Sequence, residues 1–221
     1  MLRIEFERQR DGAHFRRCGV TALRVSVILA LTAACASPRP APLVPPEIEF
    51  VSRSAWGAQP PVLPMRAHRI ERLTIHHTGT NQNNSRTVSQ KLQGLQLFSQ
   101  RDDSLASGRR KPAWADVPYH FYVGVDGVVG EGRDWHYAGD SNTAYDPAGH
   151  LLVVVEGNFQ RDTLTTGQRR TLDILVPSLA RRFSIAAEKL ASHRDYAQTE
   201  CPGANIYSAL PRFREMIRRR Q

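Results

Sequence analysis

Three cysteines in 221 residues leave little material for a disulfide framework. Cys18 falls in an N-terminal stretch with the features of a leader, Cys35 at its end, and only Cys201 in the body of the chain. An exported chain with one remaining thiol forms no internal disulfide, and a lone thiol in an oxidising compartment needs something to hold it, such as a metal. Long apolar runs are missing as well: the uncharged run from Val25 to Ala34 is ten residues, about half of what a membrane-spanning helix requires. Lysine is scarce, since only Lys91, Lys111 and Lys189 stand among the 30 basic residues, a bias that reads as genome composition. No basic run is interleaved with aromatic residues, which argues against a nucleic-acid reader. No internal repeat is visible, so repeat architectures drop out.

What the N-terminus does contain is an export signal. Arginines at 16 and 17 precede the uncharged run, and small residues lead to Cys35. This is the order of a secretory signal peptide. The ending Leu31-Thr32-Ala33-Ala34-Cys35 resembles a bacterial lipobox, with cleavage before a cysteine that then carries lipid. Ordinary cleavage after Ala34 or Ala36 is the alternative. The stretch from Pro38 to Glu47 holds five prolines, the composition of an extended spacer. The expected organisation is a lipoprotein-type signal over 1–35, a Pro-rich linker over 36–47 and one domain over 48–221. It implies a cell-envelope, periplasmic location with a membrane anchor on Cys35. The formal charge is +9, and a basic surface favours anionic partners such as cell-wall polymer or lipid headgroups.

Within the domain, Arg72 to Thr78 alternates, with Leu73, Ile75 and His77 on one face and Thr74, His76 and Thr78 on the other. Only one of the paired histidines can reach a given site, and the polar company favours His76. Residues 85–100 carry Val88, Leu92, Leu95 and Phe98 at helical spacing. Residues 101–114 read as a surface loop, with Arg109, Arg110 and Lys111 as a solvated face. Asp126-Gly127 between two apolar runs predicts a hairpin, with strands near 119–125 and 128–132. Leu151 to Val155 reads as a central strand buried on both faces. Helices are expected over 166–183 and 206–217, the second bent near Pro211. Strands and helices in this order predict an α/β domain with a central mixed sheet flanked by helices.

The chemistry concentrates in HRDYAQTECPG, residues 193–203, where a histidine and a cysteine are eight apart. A zinc hydrolase needs three protein ligands and an open position; this stretch supplies two, and the pair His76-His77 can supply a third. VSRSAWGA, TIHHTGT, DVPYHFYVGVDGVVGEGRDW, EGNF and SHRDYAQTECPG, in that order, resemble the type 2 peptidoglycan amidases, a family that includes the peptidoglycan recognition proteins and phage amidases. The resemblance implies that family's fold, a zinc ion bound by His76, His193 and Cys201, and Tyr119 and Thr199 in the catalytic step. It places Arg133 and His136 along a glycopeptide groove. It separates this chain from the branch with an aspartate ligand and a strand glutamate, because Cys201 and Val154 occupy those positions; Glu156, two residues on, is not assigned as a base. The implied activity is hydrolysis of the amide between N-acetylmuramic acid and L-alanine in peptidoglycan or muropeptides by a monomeric protein. A non-catalytic peptidoglycan-binding module is the alternative.

Overall fold

The computed structural model describes residues 42–105 and 107–220; the leader over 1–35 and the first part of the linker lie outside the described residues. Six strands form one sheet in the order β1-β6-β5-β7-β2-β8: β1 (Phe50–Val51), β2 (Arg72–His77), β5 (Phe121–Val123), β6 (Val129–Glu131), β7 (His150–Val155) and β8 (Leu190–Ser192). β7 lies inside the sheet, between β5 and β2, and every residue of it is buried. Its unbroken apolar run is the pattern of a strand covered on both sides. Both of its pairings are parallel, as are β2 with β8 and β1 with β6, whereas β5 and β6 form an antiparallel hairpin. The sheet is therefore mixed.

Alternation divides the strand residues between two cores. Leu73, Ile75, Leu151, Val153, Val155, Phe121 and Val123 face one side, where α3 (Thr166–Arg182) and α5 (Leu210–Arg218) cover them with Leu172, Leu175, Leu179 and Phe213. Tyr122 and Val154 face the other, against Val88 and Leu92 of α2 (Val88–Ser99) and Trp56 of the short α1 (Arg53–Trp56). Both long helices begin with reciprocal capping boxes, Thr87 with Gln90 and Thr165 with Gln168, which satisfy amide groups that the first turn leaves unpaired. The hairpin turns at Gly127, whose φ of 90° suits glycine; a Cβ there would also lie 2.6 Å from the Gly167 carbonyl oxygen at the start of α3.

Three expectations are corrected. The 101–114 segment contains a small ribbon, β3 (Asp103–Ser104) with β4 (Arg110–Lys111), and Lys111 is fully buried. Its ammonium donates to the carbonyls of Ser99, Arg101 and Pro112 at 3.0, 2.9 and 2.9 Å and sits 4.6 Å from the centre of the Trp114 ring. Those acceptors satisfy a charge that burial alone would forbid. The final helical stretch is interrupted instead of bent: α4 (Ala204–Tyr207) stops and Pro211 opens α5 in its first turn, where a missing N–H costs nothing. Finally, Val44 and Ile48 are buried in the core, so the packed domain already includes residues 44–47 that proline content assigned to the spacer.

His120 and His150, given no catalytic role by the sequence, are buried structural groups. His120 accepts from Leu152 N at 2.8 Å and its other ring nitrogen contacts Tyr137 O at 2.9 Å; His150 bonds Thr74 at 2.8 Å. Burial above all holds His120 down at about 3 and His150 at about 4. Both stay neutral when folded, while in the unfolded chain they protonate near 6.5. Their contribution is complete above about pH 6.5 and is lost as pH falls toward 3 to 4, because the unfolded state then binds more protons. In chelator, the urea midpoint should fall steeply across that window, and His120→Gln, which keeps one donor and one acceptor, should flatten the slope; an unchanged slope would contradict this account.

Candidate metal centre

The register of β2 against β8, Leu73 with Leu190 and Ile75 with Ser192, brings the two strands to the same edge of the sheet side by side. His76 sits near the end of β2, and His193 follows β8 directly. Their rings lie 4.7 Å apart, centre to centre. The chain then makes a tight excursion that returns Cys201 to the same place. Asp195 caps the turn by accepting from Ser192 N and Oγ at 2.7 and 2.8 Å, and Arg194 N donates to Cys201 O at 2.9 Å. Pro202-Gly203 follows the cysteine; a Cβ at Gly203 would lie 2.2 Å from the Phe159 carbonyl carbon, so only glycine lets this turn seat against the Phe159-Gln160 backbone in the segment after β7.

The outcome is one buried cluster, His76, His193 and Cys201, whose ligand atoms all lie within 4.8 Å of one another. Cys201 Sγ is 3.7 Å from His76 Nδ1, close to the separation of about 3.5 Å between nitrogen and sulfur ligands of a tetrahedral zinc. One nitrogen of each ring is occupied: His193 Nε2 bonds Thr143 Oγ1 at 2.6 Å and His76 Nε2 contacts Tyr145 OH at 3.3 Å. Imidazoles tied by one nitrogen present the other to a metal in a fixed orientation. His77 points away, accepting from Phe159 N at 3.3 Å, while its backbone N–H donates to Cys201 Sγ at 3.3 Å.

Electrostatically the cluster is starved of charge. Burial, then the neighbouring His193, holds His76 well below its ordinary value; burial holds His193 at about 4. Burial pushes the Cys201 thiol up to about 12, against the opposing pull of the His77 N–H. Two neutral imidazoles and a thiol that cannot ionise alone form a donor set that a dication completes, since the cation pays for the thiolate by displacing its proton. The residues present fit zinc.

Tyr119 packs against this centre, its ring 5.2 Å from that of His76. Burial first, and then Cys201, raises its hydroxyl above the ordinary tyrosine value. It also lines a cavity of about 390 Å³ with Thr78, Lys91, Phe98, Trp114 and Tyr122. Thr199 is half-buried and accepts from Cys201 N at 3.2 Å, so it shapes the loop that carries the thiol. Arg133 departs from expectation. It is 3 % exposed, and its guanidinium donates to the carbonyls of Val117, Ala138 and Asp116 and to the Asp140 carboxylate. A cation so committed ties loops together and is not free for a substrate carboxylate. His136 is exposed, stacked on Trp135 at 3.7 Å and 2.6 Å from Asp134, with no contact to the cluster. Glu156 is buried and pairs with Lys91 at 2.7 Å, which fixes α2 to the end of β7.

Thr143 and Tyr145 escaped sequence reasoning because nothing in the segment Asp140–Pro147 distinguishes it from an ordinary polar loop; only the fold shows that it passes behind both histidines. With this geometry in view, comparison with known proteins is informative. A family model described as N-acetylmuramoyl-L-alanine amidase matches residues 66–204. Peptidoglycan-recognition protein SC2 of Drosophila melanogaster is 30% identical over 166 residues, 74% of this chain and 85% of that protein. Among solved structures, the ectodomain complex of peptidoglycan recognition proteins LCa and LCx bound to tracheal cytotoxin matches with a TM-score of 0.61 at 27% identity, covering 74% of this chain and 95% of the other. The N-acetylmuramoyl-L-alanine amidase LysC from Clostridium intestinale matches with a TM-score of 0.54 at 26% identity, covering 71% and 90%. A fold of this kind, carrying a His-His-Cys cluster at its strand ends, and a family match over most of the domain lead to one assignment: the chain belongs to the N-acetylmuramoyl-L-alanine amidase family.

Proposed function

We propose that this protein is a zinc-dependent amidase that hydrolyses the bond between the lactyl group of N-acetylmuramic acid and L-alanine in peptidoglycan or muropeptides. The observation that carries the reading is the complete donor set of His76, His193 and Cys201, with both histidines held from behind by Thr143 and Tyr145. A module that only binds cell wall has no use for a buried thiol whose ionisation requires a cation. Bound by these three side chains, zinc supplies Lewis-acid chemistry, polarising an amide carbonyl and acidifying water.

The chain's own residues account for the rest. Tyr119 keeps its proton at neutral pH, because burial raises its hydroxyl above the ordinary value. It is therefore a hydrogen-bond donor and not a resting base, and its place between the histidine ring and the 390 Å³ cavity suits it to the oxygen on which negative charge develops. Thr199, bonded to the Cys201 amide, holds the loop and offers a second hydroxyl near the reacting bond. The cavity, with Trp114, Phe98 and Tyr122 on its walls, receives part of the substrate and excludes water from it. Of the two residues assigned to the groove, only His136 presents its ring to solvent and remains available to glycan or peptide.

We further propose that the chain acts in the cell envelope as a monomer held to a membrane by lipid on Cys35. The support for the anchor is the lipobox-like ending from Leu31 to Cys35.

The purified protein should contain one zinc per chain and release free stem peptide from muropeptides, with release abolished by chelator and restored by zinc. Zinc-loaded protein that binds peptidoglycan and releases no peptide would turn the assignment to the binding module. Tyr119→Phe should retain zinc and lower kcat by about 10² to 10³, the usual effect of removing one oxyanion donor; an unaltered kcat would remove Tyr119 from the chemistry. Thr143→Val should weaken zinc affinity by about 10- to 100-fold, measured by competition with a chromogenic chelator; wild-type affinity would show that the His193 Nε2 contact is dispensable.

A further inference from the structure

A cleft of about 450 Å³ lies between the C-terminal turns of α3 and α5 and the segment by which the chain enters the domain. Leu43 and Ile174 line it, and Arg181, Arg182 and Arg220 stand exposed around it. Basic residues at helix C-termini are ordinary, because they offset the macrodipole. In α5, however, Arg218 and Arg219 already serve that end and pair with Glu188 and Glu215 at 2.9 and 3.0 Å. Arg212 pairs with Asp173 at 2.6 Å. Among the described residues, no carboxylate comes within ion-pair distance of Arg181, Arg182 or Arg220, and Glu47 on the same rim pairs with none of them. Arg181 and Arg182 stand in the last turn of α3, where they offset its macrodipole. With Arg220 they present three guanidinium groups that have no carboxylate partner among the described residues, a local positive field with the fork geometry that suits phosphate oxygens.

The path of the chain says which phosphates. Val44 and Ile48 are locked into the core, which fixes Pro42 at the cleft's edge. Cys35 precedes Pro42 by seven residues, a span of at most about 25 Å when extended. A lipid on Cys35 would keep Pro42, and with it this rim, within that distance of a bilayer. We propose that the Arg181-Arg182-Arg220 cleft docks on the phosphate headgroups of an anionic phospholipid surface. The acyl anchor and the basic cleft are then two signals read by one membrane, the combination that makes attachment stable where a single weak one does not. The choice of a membrane as partner rests on the Cys35 reading above; the presence of a phosphate-binding cleft does not.

The test uses residues 40–221, a compact unit with its own core, which lacks any lipid and so reports the cleft alone. Co-sedimentation is measured with vesicles of phosphatidylglycerol in phosphatidylcholine and with pure phosphatidylcholine, at low and high salt. Partition should be about tenfold or more higher on the anionic vesicles and should vanish at high salt. Arg181→Gln/Arg182→Gln/Arg220→Gln should lose most of that preference while stem-peptide release from soluble muropeptides is unchanged. Arg86→Gln/Arg110→Gln/Arg169→Gln, with the same change in net charge elsewhere, should keep it. Equal loss in both triple variants, or no preference for anionic vesicles, would overturn the proposal. Displacement from vesicles by millimolar inorganic phosphate would overturn it in favour of a soluble phosphate ligand. Palmitate labelling of the full chain, with Cys35→Ser as control, tests the anchor separately, so either half can fail without the other.

Discussion

Parallel pairing of β2 with β7 and β8 is the constraint on which the site depends. Parallel strands end together at one edge of a sheet, and ligand sites gather outside those carboxyl ends. Here the register that sets Ile75 opposite Ser192 and His76 opposite Val154 also fixes where His76 and His193 emerge. Period-two alternation then decides which histidine of the pair turns to His193 and Cys201. A slip of one residue would present His77 in place of His76 and expose the Leu73 and Ile75 face. The buried strand β7 holds that register because its side chains are packed on both sides.

The same burial that secures the register prepares the donors. Two imidazoles kept neutral and a thiol kept protonated would be an unrewarding arrangement for stability alone. A dication bound there would offset that cost and would couple metal binding to proton release. The loop carrying Thr143 and Tyr145 adds orientation, since each contacts one ring nitrogen of a histidine, and on His76 it is the nitrogen other than the one beside the thiol. Tyr119 shares the enclosure, and the burial that makes it a poor base makes it a dependable donor. Structural histidines lie close by under the same low dielectric: His120 and His150 are held neutral by burial, but each is spent on hydrogen bonds within the fold.

Much of this was legible in the residues. Alternation from Arg72 to Thr78 separated His76 from His77, the apolar run at 151–155 marked the central strand, and Asp126-Gly127 marked the hairpin. Each of these signals is local and periodic. What failed was longer-range. Arg133 has the chemistry of a carboxylate clamp, and only the fold reveals that three carbonyls and Asp140 enclose it. Lys111 sits in a basic run that reads as solvated, yet the ribbon β3–β4 turns it inward onto three carbonyl oxygens. Val44 lies among prolines that suggest a spacer, although its side chain completes the core. Thr143 and Tyr145 left no signal, because a loop's polar residues acquire a role only from what passes in front of them.

The central claim is that one sulfur and two imidazole nitrogens from this chain hold a zinc ion. X-ray absorption at the zinc edge of the loaded protein tests it most directly. The account predicts a first shell with one sulfur at about 2.3 Å and two imidazole nitrogens at about 2.0–2.1 Å, the sulfur disappearing in Cys201→Ala. A shell of nitrogen and oxygen alone in the unaltered protein would contradict it, and would place the metal away from the His76-His193-Cys201 cluster.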